Sequence, residues 1–165
     1  MSTIKALSLW QPWASLIALD LKRIETRDWA TKYRGPLLIH AGKNTDFIKR
    51  RGSSLTHRNA QIGDDARTAG GLPRDFNYPL GALVAIAELV DCLPTKEIAL
   101  YSEPVSKLNM NRSEFERELA LGNFTPGRFG WVLAHVRELP EPLPYRGRQG
   151  LFDVPAGLIP PELRP

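Results

Sequence analysis

Residues 81–90, GALVAIAELV, give the strongest strand signal in the chain and carry a single charge, at Glu88. A continuous apolar run of this length, opened by a glycine, is typical of a central strand that is buried on both faces. Residues 128–136, RFGWVLAHV, have the same character. The chain must therefore build a sheet large enough to bury two such strands.

Apolar alternation or short apolar runs predict further strands at residues 4–9, 23–29, 36–41 and 151–154. Helical patterns separate some of these strands, but strands and helices do not alternate regularly along the chain. This order favours an α+β fold over a doubly wound parallel sheet. We expect a small mixed β-barrel of about five to six strands, with helices packed at its mouth.

The first helix is predicted over residues 12–19. Pro12 fits the first turn, where its missing N–H costs nothing, and the apolar residues that follow recur at helical spacing. The helix should end near Asp20.

Two further helices are predicted from their starting residues. Residues 113–121, SEFERELAL, have the spacing of a capping box, in which Ser113 and Glu116 satisfy the first backbone N–H groups. Residues 45–51 predict a short basic helix with Thr45 as its N-cap.

Residues 52–79 show no clear periodicity, and we expect a long loop with at most a helical turn at residues 64–68. A loop of this length in a small domain is either functional, for example a lid, or disordered. Near the C-terminus, Pro140, Pro142 and Pro144 predict turns.

Composition limits the possible classes of protein. A chain of 165 residues is the length of one domain, which we place at residues 1–165. The single cysteine, Cys92, excludes an internal disulfide and a cysteine zinc site, and the three histidines lack metal-binding spacing. No apolar run is long enough for a membrane span, and no signal peptide is recognised. We expect a cytoplasmic protein without membrane association, metal or cofactor.

The net charge of +4 is concentrated in one stretch. Residues 43–74 carry seven basic and three acidic side chains, whereas bases and acids balance in the rest of the chain. Such a segment suits an anionic partner, and the alternative is a solvated loop. We assign Lys49, Arg50 and Arg51 to a basic rim beside a binding cleft.

Three of the four tryptophans, Trp10, Trp13 and Trp29, lie within twenty residues and are interleaved with charged side chains. Aromatic rings that alternate with cations are typical of surfaces that stack bases and bind phosphates. Gln11 offers both a donor and an acceptor, as recognition of a base edge requires. The alternatives are that Trp13 belongs to the core and that the charges form a surface ion-pair ladder.

Residues 8–14, SLWQPWA, followed by residues 20–27, DLKRIETR, closely resemble the ASCH domain family, whose hallmark is G-x-K-x-x-E-x-R. The resemblance continues through residues 33–41 and 81–90 to Gly130 and Trp131. The hallmark glycine is Asp20 here, a residue that tolerates a left-handed helix end. Segments at about 52–79 and 93–124 resemble family-variable insertions.

The resemblance implies a PUA-like barrel with a cleft that Lys22, Glu25 and Arg27 face, and it implies binding of RNA. Some relatives remove the acetyl group of N(4)-acetylcytidine, and others are reported as single-strand ribonucleases. Their catalytic lysine corresponds to Lys22 and their glutamate to Glu88, but Glu25 replaces the threonine. The alternative function is therefore a hydrolase in which Lys22, Glu25 and Glu88 share acid–base roles. The alternative for Glu88 is a structural salt bridge to Arg27 or Lys22.

The expected ligand is single-stranded RNA or a modified nucleoside. The residues assigned to its binding are Trp10, Gln11, Arg27, Trp29, Arg34 and Lys43. Arg34 can bind a phosphate through two N–H groups, whereas His40 is interpreted as a core histidine with satisfied hydrogen bonds. A third hypothesis is an interaction module whose basic segment docks a protein partner.

Overall fold

Six strands form one mixed sheet in the computed structural model, which describes residues 2–48, 54–99 and 108–165. The strands are β1 Thr3–Leu9, β2 Ile24–Arg27, β3 Gly35–Ala41, β4 Ala82–Pro94, β5 Phe129–Pro144 and β6 Leu151–Pro155. The helices are α1 Trp13–Ala18, α2 Ser54–Ala69, α3 Thr95–Ala99 and α4 Arg112–Leu121, and two 3-10 helices, Ala156–Leu158 and Pro161–Leu163, end the chain. The strand order is β2-β5-β4-β3-β1-β6, in which only the β1–β3 pair is parallel. The α+β class and the number of strands are confirmed.

The two strands with the strongest apolar signal lie at the centre of this sheet. β4 pairs with β3 on one side and with β5 on the other, so most of its first half is buried. Successive side chains of the neighbouring strand β3 point to opposite faces of the sheet, as the pleat requires. Leu37 and Ile39 face a core cluster that α1 covers, whereas Leu38 packs on the other face with Phe152.

β5 continues through the prolines that predict turns, so this expectation is wrong. Pro140 and Pro142 lie between Glu138 and Leu143, where β5 bulges away from β4, and Pro144 is the last residue of the strand. β5 pairs with β2 only as far as Val132, and within the described residues no strand pairs with that edge beyond it. Proline is tolerated on a free edge because no ladder hydrogen bond is lost there.

The first helix begins and ends as predicted. Pro12 is the N-cap of α1, and the helix ends at Ala18 with Leu19 as its C-cap. Asp20 has a φ of 55°, the left-handed conformation that the family glycine position indicates. The Asp20 carboxylate also binds the guanidinium of Arg23 at 2.9 Å.

The chain between β3 and β4 contains the 16-residue helix α2, not the long loop that its weak periodicity predicts. Small residues let this helix approach its neighbours closely. A Cβ at Gly63 would collide with the carbonyl oxygen of Phe47, and one at Gly70 would collide with the side chain of Leu16. Tertiary packing therefore stabilises a helix that has little apolar surface of its own.

Gly63→Ala is expected to destabilise the protein by about 1–3 kcal/mol, because the added methyl group overpacks the contact with Phe47. Helix propensity alone predicts the opposite sign, a gain of about 1 kcal/mol. Urea unfolding followed by circular dichroism measures the difference. Gly157→Ala is the control, since its Cβ would meet open space. A stabilised Gly63 variant would contradict this packing of α2.

The N-terminus of α4 lies earlier than its sequence pattern predicts. Asn111, not Ser113, is the N-cap, and its side chain accepts a hydrogen bond from the backbone N–H of Glu114 at 2.9 Å. The Glu114 carboxylate accepts the Asn111 N–H in return, which completes a capping box. The predicted helix at residues 45–51 is represented by a turn at residues 46–48, and the remainder lies outside the described residues.

Candidate functional site

Lys22 lies inside the protein, with an exposed fraction of only 1%. Its ammonium group donates a hydrogen bond to the backbone carbonyl of Ile24. Two carboxylates complete its surroundings, Glu25 at 3.5 Å and Glu118 at 3.9 Å. A buried ammonium that is surrounded by oxygen acceptors is compensated for the loss of water, and it holds the acceptors in place.

Glu118 on α4 is the charged partner that the sequence analysis did not identify. It accepts hydrogen bonds from the backbone N–H groups of Arg23 and Ile24, so it fastens α4 to the start of β2. Burial raises the pKa of the Glu118 carboxyl, and the positive charge of Lys22 opposes that shift. The sequence does indicate that Glu118 is buried. It lies on the same helix face as Phe115 and Leu121, and a buried charge needs a partner.

Arg27 connects the edge strand β2 to β1. Its guanidinium donates to the carbonyl of Ser8 at 2.7 Å and lies 3.5 Å from the carboxylate of Glu25. Its Nε has no hydrogen-bond partner among the described residues, although that atom is buried. Of the three hallmark side chains, Arg27 is the most exposed, at 25% against 12% for Glu25 and 1% for Lys22. It is therefore the hallmark residue best placed to meet a ligand.

Glu88 and Arg34 are not brought to this cluster. The Glu88 carboxylate is half exposed and binds His135 at 2.9 Å, not Lys22 or Arg27. Arg34 binds Asp91 at 2.9 Å at the beginning of β3. Lys43 follows the other end of that seven-residue strand, about 20 Å away by strand geometry. The structure therefore divides the residues singled out in the sequence between two ends of the sheet.

Gln11 and Trp29 have partners within the fold. Gln11 is fully buried, and its amide accepts from the Ser15 N–H at 3.0 Å and donates to the Pro79 carbonyl at 2.8 Å. Trp29 packs edge-on against the buried Trp131 with their centroids 4.6 Å apart. In this arrangement Gln11 fixes the start of α1 and Trp29 extends the core.

Trp10 is the exposed aromatic residue of this region, with 51% of its surface accessible. One of its faces stacks on Phe47, with the ring centroids 5.1 Å apart. Trp13 supports the same phenyl ring edge-on at 5.0 Å and is itself fixed by a hydrogen bond to the Leu121 carbonyl. Phe47 therefore covers one face of the Trp10 indole, and the exposed part of the ring remains accessible to a planar ligand.

The loop at residues 145–148 adds two arginines to the same end of the sheet. Its Gly147 packs so tightly that a Cβ would lie 2.6 Å from the hydroxyl of Ser8. Arg146 and Arg148, on either side of Gly147, are exposed. Ser8 therefore contacts this loop through its side chain and Arg27 through its backbone carbonyl.

Lys43 belongs to this group through Gly81. A Cβ at Gly81 would lie 2.7 Å from Cε of Lys43, and the Gly81 carbonyl accepts the backbone N–H of Tyr145 at 3.0 Å. Lys43 therefore lies next to the loop that carries the two arginines. We call the combined surface the basic mouth; it consists of Trp10, Arg27, Lys43, Arg146 and Arg148. Within the described part of the chain, Lys43, Arg146 and Arg148 form no ion pair.

His40 is a buried residue that contacts both Ser8 and the loop at residues 145–148. It is 2% exposed, its Nε2 donates to the carbonyl of Tyr145 at 2.9 Å, and its Nδ1 accepts from the hydroxyl of Ser8 at 3.0 Å. These partners fit a neutral ring with its proton on Nε2, and burial, which disfavours the charged ring, lowers the pKa of His40. The expectation of a satisfied core histidine agrees with these contacts.

Acidification is expected to weaken the fold through His40. Because its pKa is lowered on folding, the unfolded chain takes up a proton first as the pH falls below about 6.5. The stability contributed by the neutral ring is complete above that pH and is lost as the pH decreases further. Urea unfolding at pH 7.5 and pH 5.5 measures this loss, and His40→Gln should reduce it. An equal pH dependence in the variant would contradict the assignment.

The basic rim Lys49, Arg50 and Arg51 lies outside the described residues. Among residues 2–48, 54–99 and 108–165, His, Cys, Asp and Glu side chains form no group of three or more that could hold a metal ion. None of the helices that the structure describes is long and apolar enough to cross a membrane.

Comparison with known proteins identifies the family. The model of the ASCH domain matches residues 7–142. Activating signal cointegrator 1 of Mus musculus is 39% identical over 92 residues, and that of Homo sapiens is 38% identical over 91; each match spans 55% of this chain but 15% of the relative. A crystal structure of ASCH from Zymomonas mobilis has a TM-score of 0.50 at 11% identity, with 94% of this chain and 90% of that chain covered. Its Y47F mutant has a TM-score of 0.51 at 10% identity, with 95% and 94% covered. The chain belongs to the ASCH domain family.

Proposed function

We propose that the basic mouth binds single-stranded RNA. The observation that carries the proposal is a series of contacts. Lys43 packs against Gly81, which binds the loop that carries Arg146 and Arg148. Gly147 of that loop packs against Ser8, whose carbonyl accepts from Arg27. The half-exposed ring of Trp10 lies against Gly42, next to Lys43. Cations that follow a phosphate backbone, together with an aromatic ring on which a base can stack, are the usual components of a single-strand binding surface. A polymer suits this surface better than a free nucleoside because several cations are available for successive phosphates.

Two elements of the proposal extend beyond the basic mouth. The excess positive charge of residues 43–74 begins at Lys43, and the basic rim of Lys49, Arg50 and Arg51 follows it in sequence. Residues 1–165 act as one cytoplasmic domain, in which segments 52–79 and 93–124 are variable insertions.

Hydrolysis, the alternative function, finds less support. Lys22 is almost fully buried and is already bound to a carbonyl and two carboxylates, so it cannot reach a substrate without a rearrangement. Glu88 binds His135 at a distance from that cluster. We therefore expect neither N(4)-acetylcytidine nor RNA to be cleaved.

Fluorescence anisotropy with a labelled 12-nucleotide single-stranded RNA tests the proposal. If each of the four cations neutralises one phosphate, log Kd should change with log salt with a slope of about 3. A variant with Lys43→Gln, Arg146→Gln and Arg148→Gln should bind much more weakly and have a slope of about 1. Arg112→Gln, on the exposed surface of α4, is the control.

Three outcomes would contradict the proposal. Salt-independent binding would exclude phosphate contacts, and an unchanged triple variant would exclude this surface. Equal competition by free cytidine and by the oligomer, at the same nucleotide concentration, would indicate a nucleoside site. A DNA oligomer of the same sequence measures the contribution of the 2′-hydroxyl groups.

A further inference from the structure

A cavity of about 400 Å³ lies between α1, the segment before β4, and strands β4 and β5. It shares no residue with the basic mouth. Its walls are mainly apolar and include Leu19, Phe76 and Leu139. Leu19 and Leu80 also line the cavity, and they are 37% and 39% exposed. Apolar surface therefore continues from the wall to the opening. A volume of this size is in the range of small-molecule sites.

The cavity arises from an irregularity in the sheet. Leu83 pairs with Leu143, and Ala85 pairs with Glu138, so two steps along β4 are matched by five along β5. β5 therefore contains extra residues that have no partners on β4 at this position. Because Pro142 and Leu139 lie in this bulged segment and also line the cavity, the bulge forms part of its wall.

Ser15 supplies an unsatisfied polar atom in the wall. The residue is 3% exposed, and its Oγ has no hydrogen-bond partner in the described part of the chain. Its backbone N–H is bound to Gln11, so the hydroxyl is the polar group of Ser15 without a partner, and it lies just behind the accessible wall of the cavity. Buried polar groups in folded proteins normally have partners, and an unpartnered hydroxyl beside a cavity indicates a place for one.

Charge distinguishes this cavity from the basic mouth. Glu138 lies in its wall and is exposed, whereas none of the described residues that line the cavity is a lysine, an arginine or a histidine. Glu138 forms no ion pair with the described residues. The wall therefore favours a cation and disfavours the phosphates that the basic mouth attracts.

The geometry points to a second binding site in this cavity, for a small hydrophobic amine. Its apolar body packs between Leu19, Phe76 and Leu139. The Ser15 hydroxyl accepts a hydrogen bond from the ligand once its side chain rotates about Cα–Cβ toward the cavity, and the ammonium group of the ligand pairs with the carboxylate of Glu138. The inference does not depend on RNA binding, since the two surfaces have no residue in common.

Titration of the ¹⁵N-labelled protein with tryptamine tests the site. Tryptamine joins an aromatic body and an indole N–H to an ammonium group, and indole-3-propionate has the same body with a carboxylate instead. We expect tryptamine to shift the backbone amide signals of Ser15 and Leu139. Indole-3-propionate should bind at least about tenfold more weakly, because its charge faces Glu138.

Two variants test the contacts of Glu138 and Ser15 individually. Glu138→Gln should weaken tryptamine binding about fivefold, and Glu141→Gln, three residues further along β5 and not in the cavity wall, should leave it unchanged. Ser15→Ala should also weaken binding about fivefold without destabilising the protein, because the hydroxyl has no protein partner to lose. Thermal unfolding of both variants confirms that they are folded.

The proposal is overturned if tryptamine leaves the cavity amides unshifted, or shifts only amides elsewhere. It is also overturned if the carboxylate probe binds equally well, or if neither Glu138→Gln nor Ser15→Ala weakens binding.

Discussion

Lys22→Met is expected to lower the free energy of unfolding by about 3–5 kcal/mol, the usual consequence of removing one partner from a buried ionic cluster. Methionine has a similar length but cannot donate to the Ile24 carbonyl or balance the charges of Glu25 and Glu118. Urea unfolding followed by circular dichroism and tryptophan fluorescence measures the loss. Lys32→Met, at an exposed lysine, is the control and should change stability by less than about 0.5 kcal/mol.

A second substitution tests whether Glu118 is the partner. In a Lys22→Met background, Glu118→Gln removes one of the uncompensated buried charges and should restore part of the lost stability. The amount restored is the coupling between the two residues in a double-mutant cycle. Full stability of Lys22→Met, combined with loss of a measured N(4)-acetylcytidine or RNA hydrolysis, would instead show that Lys22 is catalytic.

Two variants of the basic mouth should lose RNA affinity in different ways. Trp10→Ala removes the stacking surface and should weaken binding by about 1–3 kcal/mol while the dependence on salt stays the same. Arg146→Gln with Arg148→Gln removes two phosphate contacts and should lower the slope of log Kd against log salt by about 1.4. Anisotropy titrations between 50 and roughly 300 mM salt measure both quantities, a range over which phosphate contacts change affinity strongly.

Trp10→Phe is the matched control for stacking, since it keeps an aromatic ring over Phe47 and should retain most of the affinity. If Trp10→Ala binds like the unaltered protein, Trp10 is only a surface cover for Phe47. If the two arginine substitutions leave the slope unchanged, the loop at residues 145–148 does not contact phosphate.

The strands could be predicted where one local pattern determines them. The apolar runs of β4 and β5 must be buried wherever they lie in the fold, so their central position follows from the residues themselves. The first helix could be predicted from Pro12 and the apolar spacing that follows it, whereas the left-handed Asp20 is expected from the glycine of the family hallmark. Each depends on neighbours that are close in sequence.

The elements that were missed depend on distant partners. α2 is held by the close approach of Gly63 to Phe47 and of Gly70 to Leu16, which no local periodicity reveals. The prolines of β5 are compatible with a strand because two of them lie in its bulge, and because none of the described strands pairs with the β2 side of β5 beyond Val132. Contacts between segments that are distant in sequence decide both points, and the local sequence patterns do not specify them.

The candidate site likewise combines residues that could be predicted from local sequence with a residue that could not. The hallmark predicts that Lys22, Glu25 and Arg27 face one cleft. The three side chains do lie together, but Lys22 is buried among carboxylates instead of facing a cleft. Glu118 comes from a helix almost one hundred positions away, in a segment interpreted as a variable insertion. The apolar face of α4 indicates that Glu118 needs a buried partner, but only the packing of α4 on β2 shows which one.

The location of bound RNA tests the central claim most directly. Photo-crosslinking of a single-stranded RNA that contains 4-thiouridine, followed by mass spectrometry of the crosslinked peptides, identifies the residues that touch the bases. We predict crosslinks to the peptide that contains Trp10 and to the peptide that contains residues 145–148, both suppressed by high salt. Crosslinks confined to α4, around the exposed Arg112 and Glu116, would contradict the assignment of the basic mouth as the RNA-binding surface.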